Sequence, residues 1–225
     1  QVICAAAKEG YKASVFLFDE SRETYTDRAA HVNLDLASFL ASGTVQVRQV
    51  DPNEQSPGEF VYHVRKQVEE GVRVVVIDSL NGFLTAMTSE RFLLAQLHEL
   101  LSFLNSHGVL TIMTTAQHGM LNVSETTSFE LTYLADLVIY LRYFEAAGRV
   151  RKAISVIKNR LSAHEASIRE FDVTSNGIEI GPPLKQFEGI LTGIPRYVGT
   201  SGDLMDRGSA KMRNLTDSSD ATEGP

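Results

Sequence analysis

The sequence predicts an α/β protein, with a mainly parallel sheet flanked by helices and antiparallel hairpins towards its C-terminus. Three observations carry that prediction. The stretch from Val72 to Leu80, Val-Arg-Val-Val-Val-Ile-Asp-Ser-Leu, is a near-continuous run of branched aliphatics without polar alternation. Such a run reads as a strand buried on both faces, the mark of a parallel sheet covered by helices. Two further apolar runs, Ala13 to Asp19 and Val109 to Ala116, are separated from it by helical sequence. After residue 136 the pattern changes to paired strands joined by short turns.

Taken in order, Gln1 to Gly10 reads as the end of a helix stopped by a C-terminal glycine. A chain starting inside a helix, at Gln instead of Met, is expected to be a fragment whose beginning is missing. The strand Ala13–Asp19 follows and ends in acid, Asp19-Glu20. Helical sequence runs from Ser21 to about Ser42, with a break near His31 to Leu34, and Thr44 to Val50 is a short strand. Ser56-Pro57-Gly58-Glu59 is a capping box with proline as first helical residue. The helix it opens lines up Phe60, Val61, Val64 and Val68 and stops at Gly71. Beyond the Val72 strand, a helix over 89–106 carries Phe92, Leu93, Leu97, Leu100, Leu101 and Leu104. The strand Val109–Ala116 then delivers Gln117-His118. One hairpin pairs 136–144 with 149–157 across Glu145 to Gly148. A second pairs 167–174 with 178–180 through Asn176-Gly177, the usual residues of a type I′ turn. From about Val198 apolar periodicity ends, so residues 198–225 are expected to be a disordered tail behind a domain over 1–197.

Composition narrows the classes. The 225 residues are 43% hydrophobic and 22% charged, with 21 Lys+Arg against 28 Asp+Glu for a net charge of −7. With no basic stripe, a primary role on nucleic acid is disfavoured. No apolar run approaches the roughly 18 residues of a membrane helix, and no signal peptide opens the chain. The single Cys4 excludes an internal disulfide and suits a reducing cytoplasm.

Three buried strands deliver polar residues to one sheet edge: Asp19-Glu20, Asp78-Ser79 and Gln117. In open α/β sheets the carboxyl edge is where ligands bind. Asp78 taken by itself reads better as a cap for the following turn, and Gln117 at least equally well as an ordinary strand-end residue. Convergence of three strands points to a site.

The later sequence resembles the KaiC family. The resemblance rests on 134–136 (Leu-Ala-Asp), 142–145 (Arg-Tyr-Phe-Glu), 151–160 (Arg-Lys-Ala-Ile-Ser-Val-Ile-Lys-Asn-Arg), 162–165 (Ser-Ala-His-Glu), 168–171 (Ile-Arg-Glu-Phe) and 189–195 (Gly-Ile-Leu-Thr-Gly-Ile-Pro). KaiC proteins are RecA-like P-loop ATPases of the bacterial circadian clock group, and this chain is most similar to their C-terminal ATPase domain. The resemblance implies a RecA-like P-loop NTPase core, ATP and Mg²⁺ as ligands, and a homo-oligomeric, hexameric ring serving signalling partners. It makes Asp19 and Glu20 the carboxylate pair that accepts a proton during attack on the γ-phosphate, where the family pattern is Glu-Glu. It places Asp78 on Mg²⁺. It sets Lys152, Lys158, Asn159, Arg160, Ser162 and His164 around nucleotide, with Lys158 and Arg160 reaching one bound by the neighbouring subunit. His164 alone would read as a surface-loop histidine. Gln117 is the expected γ-phosphate sensor. The family's autophosphorylated Ser-Thr pair falls near Thr132-Tyr133, with Thr127 close by, and the tyrosine departs from that pattern.

A G-x-x-x-x-G-K-S/T loop, which cradles phosphates in such enzymes, is absent from the 225 residues. By the family spacing it belongs just ahead of Gln1, so this chain alone is expected to be inactive. Three readings follow: a ring ATPase with autokinase activity, an inactive KaiC-like scaffold or interaction module, and a recombinase-like ATPase on DNA. The last is weakened by the charge of −7.

Overall fold

The computed structural model describes residues 1–51, 55–86, 93–115 and 132–199. The chain divides into two compact units, Gln1–Asp136 with Val173–Glu179, and Leu137–Asp172 with Ile180 onward.

The first unit is built on a four-stranded sheet of order β2-β1-β3-β4, with every pairing parallel. Its elements run α1 (Val2–Lys8), β1 (Lys12–Leu17), α2 (Arg22–His31), α3 (Leu36–Ala41), β2 (Val45–Gln49), α4 (Pro57–Glu69), β3 (Val72–Asp78), α5 (Leu80–Ala86), α6 (Leu93–Ser106) and β4 (Leu110–Met113). The near-continuous apolar run of β3 has a direct cause. Val75 and Ile77 pack into one core with Phe60, Val64, Leu97, Leu100 and Leu104. Val74 and Val76 pack into the other with Ile3, Ala7, Leu36 and Val47. With apolar layers on both sides, the strand has no polar residue between Val74 and Ile77; Arg73, at its start, is exposed.

The helix signals at Ser56 and between α2 and α3 hold as read. Ser56 accepts from the Glu59 amide, and the Glu59 carboxylate accepts from the Ser56 amide at 2.8 Å. That amide, before any other contact, holds the Glu59 carboxyl below the usual carboxylate range. The break in the first helical stretch falls between α2 and α3, where Asp35 caps the second helix. Two features differ from expectation. β1 ends at Leu17, so Asp19 lies just past the strand. A short helix, α5, follows β3 directly. The expected start of α6 at 89–92, and residues 116–131, lie outside the described residues.

The second unit carries β5 (Leu137–Ala146) and β6 (Arg149–Asn159), in a sheet of order β5-β6-β7-β8 with β7 (Arg169–Thr174) and β8 (Gly177–Pro183), of which Val173–Glu179 is grouped with the first unit. The β5–β6 connection is tighter than the expected span from Glu145. Ala147 and Gly148 form it with φ of 53° and 69°, the two positive angles of a type I′ turn. At Asn176-Gly177 the positive angle falls on Gly177 alone, at 98°, so that turn is not type I′. The Thr174 hydroxyl accepts from the Asn176 amide (3.1 Å) and donates to the Gly177 carbonyl (3.2 Å), leaving the left-handed position to glycine. A ribbon of β9 (Phe187–Glu188) and β10 (Arg196–Tyr197) completes the unit. Its core gathers Phe144, Ala146, Ala153, Leu184 and Ile190. The fold is the α/β, RecA-like class expected, with antiparallel C-terminal hairpins. No helix among the described residues is long and apolar enough to cross a membrane. The expected tail lies outside the described residues from 200 on.

Candidate active site

The parallel sheet of the first unit sets its acids at one edge because β1 and β3 run side by side in register, Leu17 opposite Asp78. The peptide after Asp78 is cis. Asp78 is half-buried, and its Oδ1 accepts from the Thr114 hydroxyl at 2.6 Å, just beyond β4. The capping role open to Asp78 from sequence falls instead to its neighbour. Ser79 Oγ accepts from the Gly82 amide at 3.1 Å and closes the first turn of α5.

Ser79 also donates to Asp19. Its amide reaches Asp19 Oδ2 at 3.3 Å, and its hydroxyl bonds the same oxygen. Gly82 makes this approach feasible. A Cβ there would stand 2.5 Å from Asp19 Oδ1 and 2.6 Å from Phe18 Cβ, closer than real side chains come. Asp19 is therefore clamped against the β3–α5 junction.

Glu20 takes a different partner. Its Oε1 accepts from Arg28 Nη2 at 2.6 Å, with the Glu20 side chain 17% exposed and that of Arg28 60%. Arg28 also lies over the Tyr25 ring, 5.5 Å from its centroid. The Tyr25 hydroxyl is pushed up from 10.0 to about 12, by burial first and then by the Asp78 carboxylate, while Arg28 opposes. The paired acids thus do different things: Asp19 ties β1 to α5, and Glu20 is held by a helix cation.

The basic candidates belong to the second unit. Lys152 Nζ pairs with Asp172 Oδ1 across β6 and β7 at 2.9 Å. Lys158 is half-buried near the end of β6 and Arg160 is exposed just after it. Asn159 shapes the loop that follows, accepting from the Leu161 amide and donating to Ser162 Oγ, both at 3.0 Å. Ser162 and His164 lie exposed on that loop. Downstream, Glu165 accepts from Arg169 at 2.6 Å and from Ser167, which together keep its carboxyl below the usual range. Thr132 opens a short 3₁₀ turn, Thr132–Leu134. Gln117 and Thr127 lie outside the described residues.

Sequence reasoning missed Thr114, Gly82, Tyr25 and Arg28. The first two sit where a strand or helix end would bring any residue. Tyr25 and Arg28 lie three apart on α2, and that spacing on one helix face was the available signal.

A family model described as ATPase: KaiC matches residues 1–185. Circadian clock protein KaiC3 of Synechocystis sp. is 28% identical over 193 residues, 85% of this chain and 38% of that protein. Circadian clock oscillator protein KaiC of Acaryochloris marina is 24% identical over 194 residues, 86% of this chain and 37% of its own length. Its counterpart from Thermostichus vulcanus is 23% identical over 192 residues, again 85% of this chain and 37% of its own. The chain spans less than two-fifths of the length of these relatives.

Proposed function

The chain belongs to the KaiC ATPase family, and from that premise we propose that residues 1–197 form a domain that hydrolyses ATP, with residues 198–225 a tail outside it. The observation that carries the reading is the edge where β1, β3 and β4 bring Asp19, Asp78 and Thr114 together, with Glu20 next to Asp19 in the chain. Asp78 and Thr114 offer hard oxygen donors, the kind Mg²⁺ prefers, so the residues present fit that ion. Bound there with ATP, it would neutralise charge on the phosphates. Glu20 is the proton acceptor for the attacking water in this reading, because Asp19 is already committed to Ser79. Lys158 and Arg160 act on a nucleotide held by a neighbouring protomer in a homo-oligomeric ring, with Lys152, Asn159, Ser162 and His164 shaping that face. Gln117 is the proposed phosphate sensor, and the cytoplasm the proposed location. Serine/threonine autokinase activity, at Thr132 or Thr127, belongs to the same reading, as do signalling partners of the ring.

The test is Mg²⁺-dependent turnover by the natural full-length protein. Glu20→Gln is expected to lower the rate about a hundredfold, and Asp78→Asn to raise the Mg²⁺ concentration required. If neither substitution altered turnover, the site would be misassigned. The inactive-scaffold reading has one observation in its favour, the clamping of Asp19 by Ser79. A wild-type protein that binds partners yet turns over no ATP would favour it.

A further inference from the structure

We propose that Arg28 is a positioning residue for this reaction, holding the Glu20 carboxylate through one of its oxygens. The inference rests on the reading of Glu20 as proton acceptor. Its ground is a chain of contacts within the first unit. Glu20 immediately precedes Ser21, whose hydroxyl caps α2 by accepting from the Thr24 amide at 3.1 Å. The backbone of Glu20 is thus set by the helix start. Its side chain is set two turns later, by the 2.6 Å bond from Arg28.

Arg28 is itself placed by a partly buried partner. Tyr25, one turn before it, packs into the core formed by α1, α3 and the sheet, and Ala29 packs there too. The Tyr25 ring lies beneath the guanidinium, 5.5 Å from its centroid to Cζ. The core therefore fixes Tyr25, Tyr25 supports Arg28, and Arg28 holds Glu20. The pair has little to do for the fold, since an ion pair with one partner 60% exposed adds little stability. Its consequence is geometric. A glutamate has three side-chain torsions, and an acceptor displaced by about 1 Å can lose about 10²-fold in rate. The neighbouring Asp19, one methylene shorter and clamped by Ser79, is not placed to replace it.

The experiment is steady-state ATP hydrolysis by the natural full-length protein in its assembled state. Arg28→Met is expected to lower kcat about tenfold with KM for ATP unchanged, a loss confined to the reacting step. Arg28→Lys keeps a cation and is expected to recover most of that loss. In a Glu20→Gln background, Arg28→Met is expected to cost nothing more, since the two act as one unit. An unchanged or raised kcat in Arg28→Met would overturn the positioning role, as would an equal loss in the Glu20→Gln background or a change confined to KM. Should Arg28→Met misfold, Arg28→Gln in both backgrounds gives the same comparison. Full activity in Glu20→Gln alone would instead overturn the assignment of the acceptor, a separable outcome.

Discussion

The acids of the first unit and the loop candidates of the second are held in different ways. In the first, Asp19, Glu20 and Asp78 are each bonded to a side chain from another element or from further along the helix: Ser79, Arg28 and Thr114. Their positions follow from a sheet with a core on each face. In the second, the loop after β6 is shaped by short-range bonds, such as Asn159 to Leu161 and Ser162. Its edge strand β5 leaves Leu137, Ile139, Leu141 and Tyr143 exposed at 49–59%. One unit makes a preorganised acidic edge. The other presents cations on a locally folded arm beside an apolar strand face. Residues that must fix a reacting proton are best placed in the first kind of setting, and residues that reach another molecule in the second.

That contrast breaks most severely at Arg160. If it acts across a protomer boundary, Arg160→Ala is expected to lower turnover by about 10³-fold or more while circular dichroism stays unchanged. Mixing it with Asp78→Asn protomers should restore part of the activity, because some boundaries then have both halves intact. Full turnover by a monomer would erase the difference between the units.

Stability separates them next. Phe60 is fully buried among Phe16, Phe18 and Phe83, with ring centroids 5.1–5.5 Å away. Phe60→Ala is expected to cost about 3–5 kcal/mol in urea unfolding, whereas Leu141→Ala, 55% exposed, should cost far less. Comparable losses would mean that the β5 face is covered in solution.

A finer measure is the pH dependence of the first unit. Burial and the Asp78 field raise Tyr25 from 10.0 to about 12, so the folded state binds that proton more tightly than the unfolded chain. Its contribution is fully present below pH 10 and is lost as pH rises through about 12. Wild type should therefore lose more stability than Tyr25→Phe over that interval. Parallel decline of the two proteins would show that Tyr25 carries none of it.

By itself the sequence determined the elements whose causes are local. The Ser56 capping box, the break between α2 and α3, the buried strand at Val72 and both hairpins are set by neighbours within a few residues, so their signals are in the string. The convergence of strand ends on one edge was also legible, since parallel strands buried on both faces shed polar residues at their ends. Tertiary structure alone decided what those residues touch. Leu-Asn-Gly-Phe-Leu-Thr-Ala is a weak helix by propensity, and α5 forms where Ser79 caps it and Gly82 lets it lie against Asp19. The type I′ turn lies at Ala147-Gly148 and not at Asn176-Gly177, because the Thr174 hydroxyl, and the continuation of β5 and β6 to Ala147-Gly148, settle φ where dipeptide preference does not. Arg28 on a polar helix reads as solvated surface until the fold brings Tyr25 to the core and Glu20 beside it. The paired acids look equivalent in the string, and they differ because a side chain's partner is chosen by packing across elements.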